Sequence, residues 1–385
     1  PAGHQAVTMP PLSLVLQAVT NKASLPPRRL SVAPMMDWTD RHCRHFHRQL
    51  SRHARLYTEM VTTGALLHGD QPRHLDFSQE EHPIVLQLGG SDPAELAQCA
   101  ALAQQWGYDE IDLNCGCPSE RVQKGAFGAC LMAEPELVAQ CVSAMRTACD
   151  LPISVKHRLG LDQMDAAQSP RDYQFVLDFV LAVAAAGAIQ VTIHARNAVL
   201  KGLSPKENRS KPPLHYDVAK QLRRDAQKQY PNLRVLLNGG LESNEQVAQY
   251  WNDFDGFMIG RAAYHFPAML LGWDDLVESD GNAVGYLFSE ADWHRIQIGL
   301  VEYSQAWLAQ CNAHRKDFYL GAITRHIMGL AHGRAGSRRW RQRLSDHHAL
   351  ARVKTQDAIE TFFLEASMEL GDWALFEPPS IGSRA

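Results

Sequence analysis

The chain has no long apolar run. Its longest early candidate, Leu12 to Val19, is shorter than a membrane span and is interrupted by Gln17. No Lys or Arg precedes that run, so the basic flank of a secretory signal is missing as well. A cytoplasmic protein with no membrane partner is expected. The eight cysteines, at positions 43, 99, 115, 117, 130, 141, 149 and 311, share no framework spacing. Free thiols in a reducing compartment fit this better than a disulfide scaffold. Cys115-x-Cys117 lacks the second pair that a zinc site needs, and the eighteen histidines form no convincing His-x-x-x-His face, so no metal is expected. Strong net charge is also absent. The formal value is −4, which by its sum argues against a nucleic-acid partner. The distribution argues otherwise. Arg334 to Arg343 holds five arginines and no acid, and residues 196–211 carry Arg196, Lys201, Lys206, Arg209 and Lys211 against Glu207 alone. Arg41 to Arg55 is a third basic, His-rich stretch.

With 385 residues, 45% of them hydrophobic and 21% charged, the chain is long enough for one large domain and a smaller one. It has no repeat of solenoid length and no low-complexity tract. Short apolar segments recur at Leu30–Met35, Arg55–Val61, Pro83–Leu88, Glu110–Leu113, Ile153–His157, Ile189–His194, Val235–Asn238 and Gly256–Ile259. Most are followed by helix-length stretches with apolar spacing of three and four, such as Asp92–Trp106, Glu134–Ala148, Tyr173–Ala186 and Ser243–Tyr250. Eight such alternations predict a TIM (β/α)8 barrel, with a doubly wound sheet as the alternative. Strand patterning stops after about residue 275, and residues 293–311, 317–331 and 347–370 carry helical periodicity. The expected division is a flexible leader at 1–28, a barrel at 29–275, an all-helical domain at 285–370 and a tail at 371–385.

In parallel β/α proteins the active site forms at the C-terminal ends of the strands. Here those ends carry Gln87, Asn114, Lys156, His194, Asn238 and Gly260, with Cys117 on the Gly- and Pro-containing turn Asn114-Cys-Gly-Cys-Pro118. Asn238-Gly239-Gly240 and Gly260-Arg261 follow the seventh and eighth segments, where many barrels bind phosphate. Glycines let backbone N–H groups approach an anion, although they are also common turn punctuation. Lys156 reads either as a cation in the barrel mouth, able to stabilise a reduced flavin, or as a rim ion pair. His194 reads either as a ligand to flavin or substrate or as a satisfied core histidine. An ordinary thiol, with a pKa near about 8.5, is mostly protonated at neutral pH. Cys117 is thus either a proton donor or a small buried hydrophobe. Cys115 reads as packing.

These residues carry a resemblance. The chain resembles the tRNA-dihydrouridine synthases, and within them the bacterial DusA branch. The matching stretches are Ser31-Val-Ala-Pro-Met-Met-Asp-Trp-Thr-Asp40, Leu56-Tyr-Thr-Glu-Met-Val-Thr-Thr-Gly64, Val85-Leu-Gln-Leu-Gly-Gly90, Leu113-Asn-Cys-Gly-Cys-Pro-Ser119 and Arg121-Val-Gln. Further along they are His194-Ala-Arg196, Gly202-Leu-Ser-Pro-Lys-Glu-Asn-Arg209, Leu237-Asn-Gly-Gly240 and Ile259-Gly-Arg261. Cys115 departs from the pattern, since relatives often carry Val or another small residue there.

The resemblance implies reduction of the uridine C5=C6 bond in the tRNA D-loop by tightly bound FMN, recharged by NADPH, at positions 20 and 20a. Hydride would pass from reduced flavin N5 to C6, and Cys117 would protonate C5 as general acid. Pro34, Met35, Met36, Gln87, Lys156, His194, Asn238, Gly239, Gly240, Gly260 and Arg261 would hold the cofactor. Asn114 would hold the target base, and Lys206, Arg209, Arg338 and Arg341 would orient the tRNA, with Arg325 a further basic group. A base inside folded tRNA must be flipped out to reach a barrel mouth. Two other readings remain open on the residues: a flavin barrel reducing a free small molecule, and an RNA-binding protein whose barrel site is idle.

Overall fold

The structure, a computed structural model, describes residues 29–119, 127–286 and 288–371. The leader at 1–28, the Arg121-Val-Gln motif and residues 372–385 of the expected tail lie outside the described residues.

One parallel sheet organises the chain: β1 (Leu30–Val32), β2 (Leu56–Tyr57), β3 (Val61–Thr62), β4 (Ile84–Gly89), β5 (Glu110–Cys115), β6 (Ile153–Arg158), β7 (Gln190–His194), β8 (Arg234–Asn238) and β9 (Gly256–Ile259). Its order is β1-β9-β8-β7-β6-β5-β4-β2, and β3 also pairs with β4. Bonds from Val32 N to Arg55 O and from Arg55 N to Leu30 O, each 2.9 Å, bring β1 against β2 and close the ring. With β2 and β3 sharing one position, this is the eight-position TIM barrel that the alternation predicts. The expected continuous strand Arg55–Val61 is broken. The Thr58 hydroxyl oxygen accepts from Gln87 N at 3.0 Å, so a side chain replaces the backbone at that rung.

Strand side chains alternate between two faces, and the sequence alternates with them. Leu86 and Leu88, Ile111 and Leu113, Val191 and Ile193, and Val235 and Leu237 join the large core between sheet and helices. Cys115 falls on that outward face too, buried among them. The surrounding helices start where their caps dictate. Asp92 accepts from Ala94 N and Glu95 N ahead of Pro93–Trp106, and Ser169 accepts from Asp172 N ahead of Pro170–Ala185.

The inward residues are largely polar. On the floor, Arg55 donates to Glu110 at 2.7 Å and to Gln190 at 3.3 Å, and Arg234 donates to Gln190 at 2.9 Å. Ala33, Tyr57, Val85 and Met258 form a small apolar cluster of their own inside the ring. Asp112 and Ser154 lie in the same interior, both fully buried.

The helical segment after the barrel is led by Glu290–Ala313, packed on Gln356–Met368 and on the barrel helix Arg41–Leu50. Trp293 and Trp340 meet edge to face at 4.9 Å, and Trp293 donates to Ser367 at 2.9 Å. The seam to the barrel is aromatic and polar: His42 bonds Tyr303 at 2.8 Å, and His45 stacks on Tyr303 at 3.9 Å. Asp40 caps Arg41–Leu50 through His42 N and Cys43 N, and pairs with Arg325 and His326 across the same seam. Two expected helices differ. Within 317–331 only Gly321–Thr324 is α-helical, and later bonds run three residues back, from Ile327 N to Thr324 O and from Leu330 N to Ile327 O. Close packing on the barrel explains this, since a Cβ at Gly329 would lie 2.2 Å from His265 O. The expected 347–370 helix is two, His347–Arg352 and Gln356–Met368, because Thr355 caps the second.

Burial sets a pH limit on the fold. Desolvation pushes His42 and His47 down to about 3 and His157 to about 4. Each is therefore neutral when folded, whereas an unfolded histidine takes a proton near about 6.5. Below that pH the unfolded state binds more protons, so each histidine removes about 1.4 kcal/mol of stability per pH unit. Asp112, whose carboxyl is raised by burial, works in the opposite direction but is one group against three. Thermal melts from pH 7.5 down to 5 should show a falling midpoint beginning near about pH 6.5; a flat profile would contradict it.

Candidate active site

Strand register assembles the rim. Asn114 of β5 pairs with Lys156 of β6, Arg158 of β6 with His194 of β7, and His194 with Asn238 of β8. All point the way of the interior residues two positions before them. Gln87, at the same end of β4, is buried beside them.

The thiol turn is built from Asn114. Its Oδ1 accepts from Gly116 N at 3.1 Å and from Cys117 N at 3.0 Å, while its Nδ2 donates to Gln87 Oε1 at 2.9 Å. Gln87 Nε2 in turn donates to Asp112 at 2.7 Å. Cys117 is half-buried, with Sγ 3.5 Å from Ser119 Oγ and its carbonyl bonded by Ala129 N at 2.9 Å. Two cysteines two apart thus differ completely. Cys115 is in the apolar layer, where burial raises its thiol well above the ordinary value, and Cys117 is an electrostatic neighbour of Lys156, Arg158 and Arg209.

Arg158 fixes that turn from the other side. It is 4% exposed and donates to Gly116 O at 3.1 Å, Asn197 O at 3.2 Å and Asn208 O at 3.0 Å. Asn208 is fully buried and closes its own loop through Val199 N, Val199 O and Leu203 O. One guanidinium therefore ties the thiol turn to the basic loop that carries Lys206 and Arg209. Lys206 is exposed, and Arg209 has Arg261 and Cys117 as electrostatic neighbours.

The other half of the rim comes from β7, β8, β9 and β1. His194 is buried, and burial first, then the charges of Arg158 and Lys156, hold it well below the ordinary histidine range. Its Nδ1 is buried without a hydrogen-bond partner among the described residues. The ring lies against Gly239, where a Cβ would come within 3.1 Å of it. Gly239 and Gly240 have φ of 99° and 71°, a conformation suited to glycine. Asn238 donates to Met258 O at 2.6 Å, and Arg261 donates to Arg209 O at 3.0 Å. Gly260 faces the loop after β1, where a Cβ in place of its hydrogen would lie 3.5 Å from Met35 Sδ. Pro34 and Met35 are half-buried and Met36 is 57% exposed. Lys156 has no hydrogen-bond partner among the described residues; burial and then Arg158 lower its pKa, against the opposing pull of Asp112 and Cys117.

The arginine-rich stretch divides in two. Arg334 is buried and donates to Phe288 O, Arg339 pairs with Glu369, and Arg343 pairs with Glu365. Arg338 and Arg341 are exposed, lie one turn apart on the helix Ser337–Leu344, and have no acidic partner among the described residues. Arg325 is committed to Asp40.

Asp112, Ser154, Arg158 and Asn208 are absent from the site read out of the sequence. The signal for Asp112 and Arg158 was present in the spacing, since each stands two residues from a rim residue on its own strand and so shares its face. Ser154, two residues before Lys156, carries the same spacing signal, whereas nothing in the strand pattern marks Asn208, whose side chain bonds within its own loop to Val199 and Leu203.

Among the described residues no helix is long and apolar enough to cross a membrane, and no cluster of three His, Cys, Asp or Glu side chains is placed to hold a metal ion. Residues 31–367 match the family model for dihydrouridine synthase (Dus). The chain is 51% identical over 334 residues to the tRNA-dihydrouridine(20/20a) synthase of Pseudomonas aeruginosa, covering 86% of this chain and 94% of that one. It is 52% identical over 318 residues to the enzyme of that name from Xanthomonas axonopodis pv. citri, covering 83% and 88%. With that from Vibrio parahaemolyticus it shares 50% over 320 residues, covering 83% and 91%. A barrel with this rim, matched along most of its length, belongs to the dihydrouridine synthase family.

Proposed function

We propose that this chain reduces uridine to 5,6-dihydrouridine in the tRNA D-loop, at positions 20 and 20a, with FMN as cofactor and NADPH as reductant, in the cytoplasm. The observation that carries the reading is the half-buried Cys117 thiol at the barrel mouth, backed by Asn114 and flanked by Lys156 and a buried His194. The names of the relatives supply the substrate and the positions.

The rim fits a polar, anionic cofactor. Among the described residues, His194 Nδ1 is a buried polar atom with nothing to bind, and Lys156 is a cation without a hydrogen-bond partner. Lys156, His194 and Gln87 would hold the ring system, with Pro34, Met35 and Met36 along its edge. Asn238, Gly239, Gly240, Gly260 and Arg261 would take the ribityl chain and phosphate. When bound and reduced, FMN supplies the hydride that uracil C6 accepts. The chain's own part is the proton. Conjugation to the C4 carbonyl places negative charge at C5, and the Cys117 Sγ–H protonates it. Lys156, near both the thiol and Asp112, stabilises negative charge at the site.

The flipped base reaches the mouth only if the tRNA body is held. Lys206 and Arg209 stand beside the thiol turn, and Arg338 and Arg341 extend the grip along the helical segment, which serves here as the tRNA-binding domain. The barrel at 29–275 and the helices at 285–370 divide chemistry from orientation in this reading.

Cys117→Ala should keep flavin absorption and tRNA affinity while turnover falls by about 100-fold or more, the range of general-acid catalysis; near-normal dihydrouridine formation would remove the acid role. Arg338→Glu with Arg341→Glu should raise the tRNA KM about 10-fold and flatten its salt dependence, leaving NADPH oxidation without tRNA unchanged. Arg339→Gln, at a paired arginine, should have a much smaller effect; equal effects from both would show that the two unpaired arginines have no special place.

A further inference from the structure

Asp112 stands at the foot of a hydrogen-bonded column that the mechanism above leaves unexplained. Its Oδ2 accepts from Gln87 Nε2 at 2.7 Å and its Oδ1 from Ser154 Oγ at 2.9 Å, and both Asp112 and Ser154 are fully buried. Gln87 Oε1 accepts from Asn114 Nδ2, and Asn114 Oδ1 accepts from the N–H groups of Gly116 and Cys117. Four side chains from three adjacent strands thus connect a buried carboxyl to the backbone of the proposed acid, and every link is within ordinary hydrogen-bond length.

We propose that Asp112 is a positioning residue for the Cys117 thiol, fixing through its carboxylate which way the Gln87 and Asn114 amides face and so holding the turn that presents the thiol. The inference rests on the proposed role of Cys117. The logic is that of donors and acceptors. The backbone N–H groups of Gly116 and Cys117 can only donate, so Asn114 must turn its oxygen to them and its nitrogen to Gln87. Gln87 must then turn its oxygen to Asn114 and its nitrogen downward. Both carboxyl oxygens of Asp112 accept, Oδ2 from Gln87 and Oδ1 from Ser154, so Asp112 enforces that same direction from below. With both ends in agreement no amide can flip without placing two N–H groups face to face. Asn114 has both acceptor positions occupied and faces the mouth as a donor only.

A carboxyl group is an expensive way to fill the interior of a barrel, where an apolar side chain of similar volume costs far less. Its burial is explained by what only an acceptor can do at this place. Charge alone is a weaker account, because Glu110 already supplies an acid inside the ring and is bound to Arg55 at the floor.

The test compares Asp112→Asn, whose Oδ1 can still accept from Gln87, with Asp112→Leu, which cannot. Two readouts are taken on the full-length purified protein: steady-state kinetics on tRNA, and the iodoacetamide alkylation rate of Cys117, followed by peptide mass spectrometry without tRNA or NADPH. Asp112→Leu should lower kcat by about 30-fold with the tRNA KM within about twofold, and speed Cys117 alkylation by about fivefold as the turn loosens. Asp112→Asn should restore both to within about threefold of the parent. A folded Asp112→Leu protein with parental kcat and alkylation would overturn the proposal, as would an Asn variant as impaired as the Leu variant. If Asp112→Leu does not fold, Gln87→Glu sets two carboxyls face to face, and adding Asp112→Asn puts a donor back opposite an acceptor. Cys117 alkylation should rise in the single variant and return in the double; no return overturns the proposal. Parent protein that makes no dihydrouridine would instead strike at the functional reading, because the alkylation comparison needs neither tRNA nor turnover.

Discussion

The register of the parallel strands is the constraint on which the site depends. Asn114 opposite Lys156, Arg158 opposite His194 and His194 opposite Asn238 exist as neighbours only in this pairing. A slip of one residue in β6 would send Lys156 into the helix layer and bring Val155 and His157 to the mouth. The slip is opposed twice. On the outer face Ile153 and Val155 would lose their place in the apolar core, and on the inner face Ser154 would leave Asp112. The same alternation that buries the outer residues therefore aims the chemistry.

Two structural ties turn this ring into a site with a defined surround. Arg158 joins the thiol turn to the loop of Lys206 and Arg209 through three carbonyls, so the thiol turn and that basic loop share one anchor. Asp40 joins the barrel to the helical segment by capping Arg41–Leu50 while pairing with Arg325 and His326. Partners within the protein also sort the basic residues. Arg325, Arg334, Arg339 and Arg343 are spent on the protein itself, and a charge count alone would have credited all of them to RNA.

Much of this was legible in the chain. The barrel followed from eight apolar segments with helical spacing between them, and the rim from the polar residues that end them. Cys115 and Cys117 were harder, because a turn at Gly116 hides which face each takes; the structure separates them by continuing β5 through Cys115. Arg55–Val61 read as one strand because Leu56, Tyr57, Met60 and Val61 give it apolar residues at both ends, yet the Thr58 hydroxyl interrupts the ladder. The 317–331 segment has helical periodicity, but contact of Gly329 with the barrel overrides local preference. Asp112 went unread because a carboxyl in an apolar run looks like an interruption until its partners, Gln87 and Ser154 on neighbouring strands, are in place.

The central claim is that this barrel mouth reduces uridine in tRNA. The most direct measurement is position-resolved mapping of dihydrouridine in an unmodified tRNA transcript carrying uridines at 20 and 20a, after incubation with the purified protein, FMN and NADPH. The account predicts dihydrouridine at those two positions and at no other uridine of the D-loop. Dihydrouridine elsewhere would contradict the assigned positions, and none at all, from protein that holds flavin and oxidises NADPH, would contradict the claim itself.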